Sequence, residues 1–394
     1  MLLLVGQQRL RFHSSYFCCM QVLQLFHRYL DESSHWVHDL LKPLEGVELT
    51  VAAPVWLNPH FEITGMNKVP VPHRIDIQRK QGFWFRQKIK RNHRFIKSWM
   101  EEHTKDFDLA HAHFSFVGWE YAKLCHKIGK PLLVSFYGYD YEHLPHTLPI
   151  WRDRYRELFL LADAFVAEGE YGAETLARIG CPEHKIRIVK LGVEAKNILT
   201  PRTKASNCLQ LIQVANMKEK KGHAYTLKAF AKALVTCPNM HLTLVGSGEG
   251  EKELKIRNWE LGVAEKVSWI PRIDYRELPA FLSRYDVLIQ PSILTPDKDT
   301  EGGAPVILLD AQAAGLPIIA TRHADIPNVV SEGETAMLCA ECDTDSLAAH
   351  ISTFYHSSPE KYAAMSTASI HWVQNHFTAE TCSTRLLECY REFV

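Results

Sequence analysis

The stretch that decides the fold is DKDTEGGAPVILLDAQAAGLPIIATRHADIP, residues 297–327. Pro305 has no N–H group and suits the first residue of a helix, and Gly315 suits the position after its end. The sequence therefore predicts a helix of about two and a half turns between them. Strand-like apolar runs precede and follow this helix, at 286–292 and 316–321. A strand, a helix and a second strand in this order indicate a βαβ unit.

The same alternation extends along the whole chain and forms two series. The predicted strands of the first series are 22–26, 47–53, 108–114, 131–138 and 164–168, and those of the second are 209–216, 241–248, 266–271, 286–292 and 316–321. A chain of 394 residues also exceeds what one hydrophobic core usually serves. We therefore expect an α/β protein with two Rossmann-like domains. The predicted divisions are an N-terminal domain at 1–195, with 1–19 as an extension, a linker at 196–207, a second domain at 208–375, and a C-terminal helix at 376–394.

The composition limits the classes of partner. Lys and Arg together number 45, as do Asp and Glu, so no overall charge favours nucleic acid. The ten cysteines lack the spacing of a disulfide framework. Cys339 and Cys342 form a C-x-x-C motif, but no second pair completes a zinc site. We expect reduced thiols and a cytoplasmic protein, and the short D-x-D motifs at 297–299 and 343–345 are too common to assign a metal.

The glycine pair of the opening stretch predicts an anion site. Gly302, Gly303 and Ala304 would bring backbone amides to the start of a helix, where the free N–H groups and the helix dipole favour phosphate. Asp310 lies among apolar residues of the same helix. A buried carboxylate needs hydrogen-bond donors, which the hydroxyls of a ribose could supply. The alternative is a helix cap followed by a solvated aspartate.

Five segments together carry a resemblance to a known family. They are EGGAPVILLDAQAAGLPIIAT (301–321), KEKKGHAYTLKAFAKA (218–233), LTLVGSGEGEKEL (242–254), VSWIPRIDYRELPAFLSRYDVLIQPS (267–292) and HKIRIVKLGVE (184–194). The chain resembles the group 1 glycosyltransferases, family 4 of the retaining nucleotide-sugar enzymes. The resemblance implies the GT-B fold, in which two Rossmann-like domains face each other across a cleft and a C-terminal helix crosses back to the N-terminal domain. It also implies a UDP- or GDP-linked donor sugar, a saccharide or lipid-linked acceptor, surface polysaccharide synthesis and no metal cofactor.

The family's two acidic positions fall on Glu301 and Asp310. The resemblance implies that Glu301 holds hydroxyls of the transferred sugar and that Asp310 holds the ribose. Eight residues separate the two, one more than in the family, so Gly302 and Gly303 look like a one-residue expansion. Asp310 also stands where the family usually has Glu.

Further donor-site residues come from the same resemblance. Lys221 matches the family lysine that stabilises the leaving diphosphate, and Gly246 and Pro305 join the donor-binding set. Asn216 occupies the position of the family arginine, with Lys218 as a partial substitute. The alternative for the KEKKG segment is a solvated basic turn.

Two strand ends in the N-terminal domain supply the remaining candidates. In SFYGYD, Gly138 and Asp140 match the family's His-Gly-x-Asp segment, and Tyr137 replaces the histidine. In HAHF, His113 lies near the carboxyl end of a strand, where open α/β sheets bind ligands. We expect catalytic contributions from Tyr137, Asp140 and His113, with a structural histidine as the equal alternative for His113.

Residues 79–99 hold eight Lys or Arg and no acid, with Phe85, Ile89, Ile96 and Trp99 near one helical face. This composition is typical of a helix on an anionic membrane surface, here the inner face of the membrane, or of a helix packed on a sheet. Two other functions stay open because of the replacements at Asn216 and Tyr137. One is a catalytically silent nucleotide-sugar-binding protein, and the other is a double-Rossmann sugar-nucleotide epimerase.

Overall fold

The computed structural model describes residues 19–29, 35–57, 61–73, 75, 82–204 and 208–394. Three parts of the sequence predictions lie outside these residues. They are 1–18 of the predicted extension, 79–81 of the basic segment and 205–207 of the predicted linker.

The N-terminal half forms a seven-stranded sheet in the order β3-β2-β1-β4-β5-β6-β7, and every neighbouring pair is parallel. Its strands are β1 (Met20–Leu25), β2 (Val47–Ala52), β3 (Asn67–Lys68), β4 (Leu109–His113), β5 (Leu132–Ser135), β6 (Ala164–Ala167) and β7 (Ile186–Ile188). The order reverses direction between β1 and β4. Such a switch point is where open α/β sheets bind ligands, at the carboxyl ends of the strands.

The described residues of this half form six α-helices: α1 (His35–Leu41), α2 (Phe83–Glu102), α3 (Ser115–Ile128), α4 (Leu144–Thr147), α5 (Ile150–Leu161) and α6 (Glu170–Arg178). Side chains from α2, α3, α5 and α6 pack into one core cluster with the sheet. The opposite face of the sheet packs against α1 and the final helix. Both faces are therefore covered, as parallel sheets require.

The C-terminal half forms a second parallel sheet of six strands in the order β10-β9-β8-β11-β12-β13. Its strands are β8 (Leu209–Val214), β9 (Met240–Val245), β10 (Val267–Ile270), β11 (Val287–Gln290), β12 (Ile318–Thr321) and β13 (Ala336–Cys339). The helices are α7 (His223–Leu234), α8 (Glu251–Glu260), α9 (Leu278–Leu282), α10 (Ile307–Ala313), α11 (Ile326–Val329), α12 (Thr344–His356), α13 (Pro359–His376) and α14 (Ala379–Arg391). The predicted fold of two Rossmann-like domains is confirmed.

Helix α14 crosses back to the first domain. Its residues Leu386 and Tyr390 are buried in the same core cluster as Val22 and Leu49 of the N-terminal sheet. The Tyr390 hydroxyl also accepts a hydrogen bond from the Gln24 side chain at 2.9 Å. The chain's last helix therefore links the two domains, as the fold prediction states.

The described part of the chain contains no helix long and apolar enough to cross a bilayer. Its nine described cysteines are all free thiols, and Cys339 is buried while Cys342 is exposed.

Candidate active site

A lysine and a glutamate meet at the carboxyl ends of β8 and β11. Lys221 lies on the turn before α7, and Glu301 lies on the loop that follows β11. The Lys221 Nζ donates to Glu301 Oε2 at 2.5 Å, and the Ser292 hydroxyl donates to Glu301 Oε1 at 2.7 Å. Burial opposes ionisation of Glu301, but Lys221 and Lys220 hold its pKa below the ordinary value. Glu301 is therefore an ionised carboxylate with both oxygens engaged.

The turn that carries Lys221 depends on Gly222. This glycine has φ of 70°, and a Cβ there would lie 1.8 Å from the Pro291 carbonyl oxygen. A larger residue would push the β8–α7 turn away from the end of β11. Gly222 thus brings Lys221 within reach of Glu301.

Asp310 is buried and has no hydrogen-bond partner for its carboxyl among the residues that the structure describes. Its side chain lies on α10 and is only 5% exposed. Burial raises its pKa to about 8, and the nearby Asp39 carboxylate adds to the rise. The site therefore contains a carboxyl group that lacks the donors it would need when ionised.

Helix α10 begins at Ile307 and not at Pro305, so the prediction for its start was wrong. Pro305 instead lies in the turn before the helix, where its carbonyl accepts from Leu308 N at 3.0 Å. The predicted end is correct, because Gly315 follows the helix with φ of 73°.

The N-terminal domain contributes α1 next to Asp310. Asp39 accepts a hydrogen bond from the Tyr275 hydroxyl at 2.9 Å, and His35 stacks on the Tyr275 ring with centroids 3.6 Å apart. Tyr275 follows β10 in the second domain. These contacts place a stacked aromatic pair and two carboxyl groups in one interdomain cluster.

The glycine pair occupies the contact between domains. A Cβ on Gly302 would lie 2.1 Å from the Gly138 Cα, and one on Gly138 would lie 1.8 Å from the Glu301 carbonyl oxygen. A Cβ on Gly303 would lie 2.2 Å from Glu168 Oε2. The Gly302 N–H donates to the Thr300 hydroxyl at 3.3 Å. The expected cradle of free amides is therefore wrong for Gly302, whose N–H is used within its own loop, and the pair serves the close approach of two loops.

His113 lies inside the N-terminal domain, away from solvent. It is fully buried and stacks on Phe26, with ring centroids 4.3 Å apart. One ring nitrogen is 2.8 Å from the Tyr137 hydroxyl, and the other is 2.9 Å from the Gln24 side-chain oxygen. Burial lowers its pKa well below the ordinary value. Both ring nitrogens of His113 are therefore engaged by protein groups, as in the structural alternative, and its catalytic role stays a prediction.

Tyr137 and Asp140 also point inward. The Tyr137 hydroxyl contacts His113, and its ring packs on Trp36 and Phe114. The buried Asp140 carboxylate accepts from the Ser115 hydroxyl at 2.6 Å and from the Tyr137 N–H at 3.0 Å. These contacts hold the loop that carries Gly138, and a catalytic role for Tyr137 and Asp140 stays a prediction.

The other donor-site candidates lie around the ends of β8, β9 and β11. Asn216 and Lys218 are exposed, and Ala304 and Pro305 are half-buried. Gly246 has φ of 141°, and a Cβ there would lie 1.9 Å from the Ala215 carbonyl oxygen. Gly246 therefore permits close packing of the β8 and β9 ends beside Asn216.

Two further acidic residues lie next to the site, Glu168 after β6 and Asp325 after β12. Burial raises the pKa of Glu168 to about 8, and Asp325, Asp140 and Glu301 add to the rise. Asp325 accepts from the Tyr171 N–H at 2.9 Å across the domain interface. Neither residue was predicted from the sequence. Glu168 is the last residue of the predicted strand 164–168, directly after its apolar residues. Ligands bind at the carboxyl ends of strands in open α/β sheets, so this position could have indicated Glu168.

Three supporting residues were also missed. His323 accepts from the Glu301 N–H at 3.2 Å, and Lys220 donates to Asp299 at 2.8 Å. Together with Ser292, they hold the loop that carries Glu301. Ser292 and His323 each stand two residues after a strand end, which is again the position where ligand-site residues gather.

This arrangement can hold a diphosphate and a polyol. The Lys221 ammonium has three donors, so it can keep Glu301 and still donate to phosphate oxygens. Glu301 and Asp310 are acceptors for hydroxyl groups.

Two family models match adjacent parts of the chain. The model of the glycosyl transferases group 1 matches residues 197–372, and that of glycosyltransferase family 4 matches residues 36–197. The chain belongs to this family. It is a group 1 glycosyltransferase of the family 4 type, and the predicted resemblance is confirmed.

Curated relatives and solved structures agree with this assignment. The chain is 29% identical over 289 residues to WcaL of Salmonella typhimurium, named as a colanic acid biosynthesis glycosyltransferase, covering 71% of this chain and 69% of WcaL. It is 28% identical over 250 residues to AmsK of Erwinia amylovora, an amylovoran biosynthesis glycosyltransferase, covering 61% of this chain and 60% of AmsK. The structure of Anabaena Alr3699/HepE in complex with UDP-glucose has a TM-score of 0.72 at 15% identity, covering 95% of this chain and all of HepE. WcaL and AmsK are thus named as biosynthesis glycosyltransferases, and HepE shares the fold.

Proposed function

We propose that this glycosyltransferase moves a sugar from a UDP- or GDP-linked donor, with retention of configuration, onto a saccharide or lipid-linked acceptor in surface polysaccharide biosynthesis. The observation that carries the proposal is the Lys221–Glu301 ion pair at the domain junction, together with the buried carboxyl of Asp310 on the helix that follows the Glu301 loop. The names of WcaL and AmsK support the pathway class, and the UDP-glucose bound to HepE supports a nucleotide-sugar donor.

The proposed roles follow from the chemistry of the groups. The bond from the sugar's anomeric carbon to the departing phosphate oxygen breaks, and the acceptor oxygen bonds to the same face of that carbon. The acceptor proton passes to the departing phosphate. Lys221 stabilises the charge on that phosphate, Glu301 accepts from hydroxyls of the transferred sugar, and Asp310 accepts from the ribose. In this proposal the Lys221 ammonium meets the diphosphate, and no metal is required.

A donor panel tests the proposal. The protein is heated alone and with UDP, GDP and their sugars, because a ligand at 100 times its Kd stabilises a folded protein by about 2.7 kcal/mol. We expect one nucleotide class to stabilise it, and the matching sugar nucleotide to release nucleoside diphosphate with EDTA present. NMR of the first-formed product sugar should show the donor's anomeric configuration. Failure of every nucleotide to stabilise the protein would refute the proposal.

A silent nucleotide-sugar-binding protein is the second candidate. It is favoured by the orientation of Tyr137, whose hydroxyl turns to His113 at the position where the family has a histidine. The presence of Asn216 at the position of the family arginine also favours this candidate. Stabilisation by a sugar nucleotide without any turnover, for every acceptor fraction tested, would select this candidate.

The proposal includes peripheral contact with an anionic membrane through α2. In its C-terminal half, Ile96 and Met100 are buried in the core. In its N-terminal half, Phe83 and Trp84 are 67% and 73% exposed. The exposed cations of the helix are Arg86, Lys88, Lys90, Arg91 and Arg94. The two interpretations of this segment thus apply to different halves, since one end packs on the sheet and the other presents aromatic and basic groups to solvent.

Vesicle co-sedimentation tests the membrane contact. Each basic residue near an anionic surface contributes about 1 kcal/mol, so binding should be reversible and released by salt. Replacing Lys88, Lys90 and Arg91 with Glu should abolish binding to anionic vesicles and leave nucleotide binding unchanged. A matched variant with Lys123 and Lys127 of α3 changed to Glu should still bind. Equal binding of the protein to neutral and anionic vesicles would contradict the proposal.

A further inference from the structure

A cavity of about 380 Å³ lies between α5 of the N-terminal domain and the loop before Glu301 in the second domain. We call it the α5 cavity. Its wall includes four basic side chains: His146, Arg152, Arg156 and Lys298. Pro145 and Ile179 add apolar surface. Its volume is near the lower end of the range for small-molecule sites, roughly 300–1,000 Å³, so it suits a short saccharide.

The positive charge of the α5 cavity is only partly neutralised by the described side chains. Asp153 pairs with the wall residue Arg156 at 2.8 Å, and Asp299 pairs with Lys220 at 2.8 Å, but Arg152 and Lys298 form no ion pair among the described residues. Asp297 lies 3.9 Å from His143. The cavity therefore presents unpaired cations from both domains.

The turn that carries Lys298 is tightly held. Lys298 has φ of 63°, which side chains other than glycine seldom adopt. Its N–H donates to the Thr295 carbonyl at 3.0 Å, and the Asp299 N–H donates to the Thr295 hydroxyl at 2.9 Å. Such conformations persist where the surrounding structure enforces them, often at ligand sites. The turn thus fixes a lysine at the rim of the cavity.

The α5 cavity lies next to the loop that bears Glu301. Tyr141 lines it, and the same ring would be 2.8 Å from a Cβ on Gly302. Lys298 is three residues before Glu301 in the chain. A molecule in this cavity is therefore separated from the Glu301 loop by a single aromatic ring.

We infer that the α5 cavity binds the anionic substituent of an acidic saccharide acceptor, either a carboxylate or a phosphate ester. Arginine presents parallel N–H donors that match both groups, and a lysine adds a point charge. The apolar wall suits the hydrogen-covered face of a sugar ring. This inference rests on the proposed function, because it names the class of acceptor for the same transfer.

Calorimetric titration of the whole protein with four probes tests the inference. The probes are methyl β-D-glucuronide, glucose 6-phosphate, the neutral methyl β-D-glucoside and inorganic phosphate. The Arg152→Ser/Lys298→Ser variant removes one unpaired cation from each domain. The Lys127→Ser/Lys252→Ser variant is the matched control, since it removes exposed cations away from the cavity. Nucleoside diphosphate binding is measured for every protein.

At least one acidic sugar should bind the wild-type protein more tightly than the neutral glucoside. This binding should weaken about tenfold in the cavity variant and not in the control variant, as for the loss of a charged hydrogen bond. Carboxylate and phosphate ester are then distinguished by which sugar binds more tightly. Equal binding of the glucoside, equal binding of inorganic phosphate, no binding of any sugar, or no effect of the cavity substitutions would overturn the inference. If nucleoside diphosphates still bind in those cases, the proposed function survives.

Discussion

Replacing Asp310 with Asn should stabilise the ligand-free protein and weaken its binding of nucleoside diphosphate. The carboxyl of Asp310 is buried and has no hydrogen-bond donor among the described residues. Burial and the neighbouring Asp39 raise its pKa to about 8. The folded protein therefore keeps this carboxyl protonated at pH values where the unfolded chain ionises it. Asn has nearly the same shape and no charge, so it avoids that penalty.

The size of the effect follows from the two pKa values. An unfolded aspartate has a pKa of about 3.9. Between roughly pH 4 and 8 the folded state holds one more proton than the unfolded state, so the free energy of unfolding falls by about 1.4 kcal/mol per pH unit. The stability is present below pH 4 and is lost as the pH rises through 8. From pH 6.0 to 7.5, the advantage of Asp310→Asn over the wild-type protein should therefore grow by about 2 kcal/mol.

Urea unfolding of both proteins at pH 6.0 and 7.5 measures this difference. Other groups whose pKa is raised, such as Glu168, are present in both proteins, so their contributions cancel. Asp345→Asn is the matched control, because its side chain is 86% exposed, and it should show no such growth. A stability difference that does not change with pH, or a less stable Asp310→Asn protein at pH 7.5, would refute the account of Asp310 as an unpaired buried acid.

The same variant connects stability to the proposed function. Above pH 8, where Asp310 is ionised, a ribose hydroxyl donates more strongly to its carboxylate than to an amide oxygen, so we expect Asp310→Asn to weaken nucleoside diphosphate binding about tenfold at pH 8.5. Unchanged binding would remove Asp310 from the donor site while leaving the stability argument intact. Gain of stability together with loss of binding is the trade-off expected where a site holds an unsatisfied group for its ligand.

Three other substitutions have clear expected outcomes. Lys221→Ala should raise the barrier of transfer by about 2–4 kcal/mol, seen as a lower turnover rate, because it removes a preorganised charge; an unchanged rate in saturating donor would contradict this role. Glu301→Gln should lose transfer but keep nucleoside diphosphate binding, which calorimetry can show, and equal loss of both would contradict its assignment to the sugar. Gly138→Ala should abolish transfer without unfolding the N-terminal domain, since its Cβ would lie 1.8 Å from the Glu301 carbonyl oxygen; a fully active variant would mean that the domains do not need this contact.

Most strands of the fold could be predicted because apolar runs between polar turns are a local signal. Each of the ten predicted runs overlaps a strand, although β1 and β9 begin before the predicted starts at 22 and 241, and β5 ends at Ser135, before the predicted end at 138. The ten predicted runs omit β3, β7 and β13, which lie at sheet edges and have two, three and four residues. Runs this short carry no periodicity, and edge strands need not be apolar. Tertiary pairing alone defines them.

The candidate site was predictable only where it is local in sequence. Glu301, Asp310 and Lys221 lie in short motifs, so the resemblance could place them. Asp39 and Tyr275 are 236 residues apart and meet only because the domains face each other. The burial of His113 could not be predicted either, because a strand pattern shows on which face of the sheet a side chain lies but not which groups cover that face.

The contact between the two domains explains why the loop after β11 contains the Gly302–Gly303 pair. The loop from Glu301 to Ala304 has one residue more than the family spacing. Its two glycines contact the N-terminal domain, Gly302 at Gly138 and Gly303 at Glu168. A side chain at 302 would meet the Gly138 backbone and force the loops apart, whereas one at 303 would displace the Glu168 carboxyl group. Glu301 lies at this contact, with its side chain held by Lys221 and its carbonyl against Gly138. Because the loop contacts both domains here, we expect a change in domain closure to move the Glu301 loop directly.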